Sequence, residues 1–152
     1  MHCLTTLILF VLFAAQTAVP NLSGRWKLDL DASSAATPVP GATQLVVYQG
    51  EDDVQFQYEK ADGSLLAEDR FSTDWRSERR FATRIQIGYA RARWEGKQLL
   101  IETKVVMNVE GTQSYSYDER WSLSPDGKTL TQKSSDGKKL VYDRMPEQPG
   151  ER

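Results

Sequence analysis

The chain has one cysteine and one histidine in 152 residues, Cys3 and His2, and both precede an apolar run near the N-terminus. If that leading segment is removed, no thiol and no imidazole remain. Their absence excludes disulfides, Cys nucleophiles, His general bases, and zinc or copper sites built on Cys or His. Long hydrophobic runs are also scarce: after residue 18 nothing approaches the ~20 apolar residues of a membrane helix. Neither sign of charge dominates, with 19 Lys and Arg against 21 Asp and Glu. That balance argues against a dedicated nucleic-acid binder.

The apolar run from Leu4 to Ala15 has the length of a signal-peptide core and is short of a membrane span. Small residues follow at Ala15, Thr17 and Ala18, and Val19-Pro20 begins a different composition. Residues 1–18 are therefore expected to be a cleaved signal peptide. A retained anchor is the alternative, because no Lys or Arg precedes the run and Gln16 suits the cleavage motif poorly. Cys3 stands before the run, whereas the acylated cysteine of a lipoprotein stands after it. Residues 19–145 then form one domain, 146–152 a disordered tail, and the expected location is periplasmic or secreted.

From Asn21 onward, alternation with a period of two dominates. Trp26, Leu28 and Leu30 alternate with Arg25, Lys27 and Asp29, and Val54, Phe56 and Tyr58 alternate with Gln55, Gln57 and Glu59. Turn residues of the Gly/Asn/Asp type separate the runs, as in Ala61-Asp62-Gly63, Glu95-Gly96-Lys97, Glu110-Gly111-Thr112 and Pro125-Asp126-Gly127. Such spacing leaves little room for crossover helices. The pattern predicts strands over 22–30, 42–49, 53–60, 64–72, 84–94, 98–109, 113–123, 128–134 and 139–144. Eight or nine antiparallel strands in an up-and-down meander are an all-β fold whose open edges are best removed by closure into a barrel. Asp31 to Gly41 reads as a loop long enough to cap one barrel mouth, and Asp74 to Thr83 as a second, arginine-rich loop.

Gly24-Arg25-Trp26 opens the first strand, and Arg144 ends the last in Leu140-Val141-Tyr142-Asp143-Arg144. A G-x-W at that position resembles the lipocalin and fatty-acid-binding (calycin-type) superfamily. The resemblance implies that Gly24, Trp26 and Arg144 close one barrel end, with the guanidinium on the indole. Ala92-Arg93-Trp94-Glu95-Gly96, Leu100-Ile101-Glu102-Thr103-Lys104 and Glu119-Arg120-Trp121-Ser122-Leu123-Ser124-Pro125-Asp126-Gly127 are similar to a family of small exported bacterial lipocalin-like proteins. The superfamily resemblance implies a closed barrel that holds a small apolar guest, and the exported family brings no assigned activity. This chain lacks the usual lipocalin disulfide and helical flank, and the helical lid of fatty-acid-binding proteins.

With Glu110 to Gln113 as a turn, Lys104 is expected opposite Glu119, Glu102 opposite Trp121 and Val106 opposite Tyr117. A two-residue turn at Gly96 adds Tyr89 beside Glu102 and Ile87 beside Lys104. One sheet face then carries Tyr89, Arg91, Glu102, Lys104, Tyr117, Glu119 and Trp121, a set of aromatic walls with a few orienting charges suited to a ligand cavity. The plainer reading is a packed barrel with Glu119 and Lys104 as a cross-strand pair. A slip of one residue would turn a strand's whole set outward. The opposite face carries Gly88, Ala90, Ala92, Thr103 and Val105, and the sequence leaves open which face is inside.

Arg76, Arg79, Arg80, Arg84, Arg91, Arg93 and Lys97 are interleaved with Trp75, Phe81, Tyr89 and Trp94. Three readings stand: a solvated loop balanced by neighbouring acids, an anion clamp at the barrel mouth, or a polyanion surface. For catalysis, Glu102 and Glu119 are the one candidate carboxylate pair. Ser114 and Ser116 have no histidine to activate them. The expectation is a non-catalytic barrel without cofactor or metal, binding a small apolar or amphipathic molecule. Nucleic acid is not expected as a partner, nor a membrane span once the signal is cleaved. The alternative is an envelope interaction or structural module with a filled core.

Overall fold

The computed structural model describes residues 18–107 and 113–146. The expected signal peptide, save Ala18, the Glu110-Gly111-Thr112 turn and all of the expected tail but Pro146 lie outside the described residues. Ten strands form one antiparallel sheet: β1 (Gly24–Leu28), β2 (Gln44–Gln49), β3 (Asp53–Glu59), β4 (Leu65–Ser72), β5 (Arg79–Ala82), β6 (Gln86–Glu95), β7 (Gln98–Met107), β8 (Tyr115–Leu123), β9 (Thr129–Ser134) and β10 (Lys139–Arg144). The spatial order is β4-β3-β2-β1-β10-β9-β8-β7-β6-β5, so among these strands the one pairing between elements distant in sequence joins β1 to β10.

That pairing curls the meander into a nearly closed barrel. Its seam lies between β4 and β5, where side chains rather than a backbone ladder meet: Arg79 of β5 bridges Asp69 of β4 at 2.5 Å. The architecture is the expected all-β barrel, with one strand more than the sequence suggested. The extra strand is β5, Arg-Arg-Phe-Ala, which lies in the segment read as a loop. Its two arginines hide the alternation, because Arg79 points its stem at the barrel and packs over Phe71, 5.5 Å from the ring centroid.

Alternate residues of every strand point inward. Leu45 and Val47, Val54 and Phe56, Leu99 and Ile101, and Leu130 and Trp121 meet in one cluster. Within it Phe56 stacks on Trp121 at 4.6 Å, and Trp121 on Tyr142 at 6.2 Å. Trp26 is fully buried and donates its indole N–H to the Leu22 carbonyl at 3.1 Å. Arg144 lies over that indole, 4.2 Å from the ring centroid, and donates to the carbonyls of Gly127 (2.6 Å) and Ser23 (3.1 Å). Gly24 is required beneath it. Its φ is +142°, and a Cβ there would stand 2.7 Å from the Arg144 Nη1.

Two register expectations are corrected by the pairing. Across β6 and β7, the two-residue turn at Gly96 is present, but Tyr89 pairs with Lys104 and Arg91 with Glu102. Across β7 and β8 the ladder is displaced by three residues, so Lys104 faces Ser116, Glu102 faces Asp118, and Glu119 faces Ile101. An odd displacement turns β8 over relative to β7.

Candidate functional site

The displaced register separates the residues that the sequence placed on one face. Tyr89, Arg91, Glu102 and Lys104 stand on the outer surface of β6 and β7, where with Trp75 and Glu78 they border an open groove of ≈ 750 Å³. Tyr117, Glu119 and Trp121 point into the barrel. Glu102 and Glu119 therefore lie on opposite sides of the sheet and form no carboxylate pair, and Lys104 does not neutralise Glu119.

The arginine-rich segment spends much of its charge within the chain. Arg91 bridges Glu78 at 3.1 Å, and Arg93 and Arg120 converge on Glu95 at 2.6 and 2.7 Å. The two arginines, Arg120 first, hold the Glu95 carboxyl below its usual range through these hydrogen bonds. Arg93 also lies over Trp75, 4.0 Å from the ring. Trp75 reaches that position from a left-handed backbone conformation with φ 62°, in a turn that Asp74 fixes by accepting from the Arg76 and Ser77 amides. The outer groove is open to water, which screens its charges.

The interior presents different chemistry. Small residues on β6 face inward: Gly88 is covered by the Phe81 ring, and Ala90 lines space that larger residues across the barrel leave unfilled. A cavity of ≈ 300 Å³, partly open to solvent, remains between Tyr58, Phe71, Arg79, Phe81, Tyr117 and Glu119, with Pro38 and Val39 of the 31–41 loop at its edge. A second recess of ≈ 660 Å³ shares Pro38, Tyr117 and Glu119 with it and runs beneath the same loop toward Gln132 and Leu140. The two spaces meet at Tyr117 and Glu119. Aromatic rings make the walls, and a small number of polar groups converge on the centre.

Glu119 is the pivot of those groups. Gln132 donates its amide to the Glu119 carboxylate at 2.6 Å, and no cation among the described residues forms a salt bridge with Glu119. Burial, and then the charge of Asp69, push its pKa up to about 7 despite that hydrogen bond. Three phenols surround it. Tyr58 and Tyr142 are raised mainly by burial; Tyr117 is raised by burial and by Glu119, against a hydrogen bond with Thr103. The Tyr142 hydroxyl and the Trp121 indole N–H are buried with no hydrogen-bond partner among the described residues. Tyr58 is only 6% exposed and lines the cavity beside Glu119. The sequence singles out none of Tyr58, Asp69, Gln132 and Tyr142 as ligand residues, offers Arg79 only within the arginine-rich clamp, and places Thr103 on the alternative inner face. The inward phase of β3, with Val54, Phe56 and Tyr58 on one side, was the available signal for the first.

Among the described residues no group of three or more His, Cys, Asp or Glu could hold a metal ion. None forms a helix long and apolar enough to cross a membrane.

This arrangement, a meander closed around an apolar core with an interior cavity, is a calycin-type barrel. No family model matches the chain, and no curated protein matches its sequence. Solved structures do match by shape. One described as "REP1-NXSQ fatty acid transporter" superposes with a TM-score of 0.53 at 14% identity, over 84% of this chain and 98% of that one. A point mutant of the fluorescent protein UnaG superposes with a TM-score of 0.51 at 16% identity, over 82% and 96%. At such identities the likeness is one of fold.

Proposed function

We propose that this protein is an exported, non-catalytic carrier that binds a small, partly apolar molecule inside the barrel, in the periplasm or outside the cell. The observation that carries the reading is the interior cavity of ≈ 300 Å³ between Tyr58, Tyr117 and Glu119. Aromatic walls with a few convergent polar groups are the make-up of a small-molecule site. A guest seated there covers apolar ring surface and meets the Glu119 carboxylate at the same time. The similarity in fold to a protein described as a fatty acid transporter supports the same reading. Export rests on the composition of residues 1–18.

The filled part of the barrel favours a second reading. Phe56, Trp121 and Tyr142 stack through the core and leave no space there for a guest. An envelope interaction or structural module would use the outer face instead.

Native mass spectrometry on protein purified from its own host's exported fraction distinguishes the two. A carrier retains an added mass that is lost on denaturation, and its chain mass lacks residues 1–18. A bare chain that also takes up no environment-sensitive apolar dye supports the interaction module.

A further inference from the structure

We infer that the guest is a protonated amine on an apolar body, with its ammonium seated against Glu119 and among the rings of Tyr58 and Tyr117. This deepens the carrier reading and rests on it.

Charge pairing inside the barrel points to a cation. Two carboxylates, Asp69 and Glu119, and one guanidinium, Arg79, line the cavity. Arg79 is committed to Asp69 at 2.5 Å, so the one cation lining the cavity is matched to one of two acids. Glu119 has only the neutral amide of Gln132 among the described residues. Lys104, which the sequence offered as its partner, stands on the other side of the sheet. A half-buried carboxyl without a counter-charge is partly desolvated at a cost, and an ammonium forms the stronger, charge-assisted hydrogen bond.

The walls suit the same group. Arg79 already lies 5.5 Å from the Phe71 centroid and 5.8 Å from that of Phe81, so the cavity's rings accept a cation on their faces. Tyr58 and Tyr117 line the same space, so two further rings stand beside Glu119 for an ammonium to lie against. A carboxylate guest would instead meet both Asp69 and Glu119, and would bind well only by drawing Arg79 away from Asp69. An alcohol can donate to Glu119 but carries no charge to match it.

The test is isothermal titration of the mature chain at pH 7.5 with octylamine, octan-1-ol and octanoate, in parallel with an environment-sensitive apolar dye. The tail is the same throughout, so the order reports the head group. The amine should bind at least about tenfold tighter than the other two, a difference within reach of one charge-assisted bond. Glu119→Gln should remove most of that advantage while leaving octanol within about threefold. Should Glu119→Gln not fold, the head-group order in the unaltered chain decides alone. If octanoate or octanol binds best, or the amine's advantage survives Glu119→Gln, the amine assignment fails and the carrier reading stands. If only the dye binds, the outcome is the same. If neither the three probes nor the dye bind, both readings fall.

Discussion

Gln132 on β9 donates its amide to Glu119 on β8 at 2.6 Å, and this neutral hydrogen bond is the principal compensation for a carboxylate inside the barrel. The compensation is incomplete: burial and the Asp69 charge together leave the carboxyl with a pKa of about 7.

A pH dependence of stability follows from that shift. A carboxyl whose folded pKa lies above its unfolded value binds more protons in the native state over the interval between the two. Stability therefore falls as pH rises through that interval, from about 4.5 to about 7. The full shift corresponds to about 3 kcal/mol as an upper figure. Urea unfolding at pH 5 and at pH 8 should show lower stability at pH 8. Glu119→Gln should flatten the dependence and be the more stable form at pH 8. A wild-type midpoint that rises between pH 5 and pH 8 would contradict the assignment, because exposed carboxylates such as Asp62 and Asp126 are already ionised in this range.

The two most buried tryptophans should respond differently to the same change. Trp26 has its indole N–H satisfied by Leu22 O and its face covered by Arg144. Trp121 stacks on Phe56 but its N–H has no partner among the described residues. Trp26→Phe loses a hydrogen bond, part of a cation–π contact and packing, whereas Trp121→Phe loses packing but also removes an unsatisfied donor. Trp26→Phe should cost more than Trp121→Phe by about 1–2 kcal/mol in chemical denaturation. Equal costs would mean that the Trp121 N–H is satisfied in solution.

Arg144 acts beside Trp26 through three contacts, and these can be separated. Arg144→Ala removes the cation over Trp26 and both carbonyl bonds, and should cost about 2 kcal/mol. Arg144→Lys keeps the charge but cannot span Gly127 and Ser23 with a planar fork, so it should recover only part of the loss. Gly24→Ala brings its Cβ to 2.7 Å from Nη1 and should resemble Arg144→Ala in the loss of Trp26 shielding, read by fluorescence quenching. Full rescue by lysine would reduce the contact to charge alone.

How far the sequence carries can be judged from β7. The meander, the Gly96 turn and the proximity of Trp26 to Arg144 are legible because alternation, turn residues and a G-x-W motif each have a local physical cause. The pairing of β7 with β8 is not, since Leu100 is buried on the outer face of β7 beside the core-facing Leu99 and Ile101, and β8 carries polar residues on both of its faces, Ser116, Asp118 and Arg120 on one and Glu119 on the other. Alternation then gives no reason to choose one register over another, and the assumed turn alone determined it. The displacement carried Glu119 and Trp121 inward and left Glu102 and Lys104 outside. Asp69 and Arg79 were equally hidden, because their pairing across the seam joins two edge strands with no ladder between them.

Gly88 and Phe81 offer the sharpest test of how the cavity wall is built. They are cross-strand partners on β6 and β5, and a Cβ on Gly88 would lie 1.8 Å from Phe81 Cζ. No side chain fits there unless the ring moves, and the ring is part of the cavity wall and lies within 5.8 Å of the Arg79 guanidinium. Gly88→Ala should therefore displace Phe81, cost about 1–3 kcal/mol by overpacking, and weaken uptake of an apolar dye. In a Phe81→Ala background the new methyl has room, so the same glycine substitution should become nearly neutral. A double-mutant cycle should return a coupling of at least about 1 kcal/mol between the two positions. A coupling near zero would place the cost of Gly88→Ala in the strand backbone, and the Phe81 ring would then have no part in shaping the cavity.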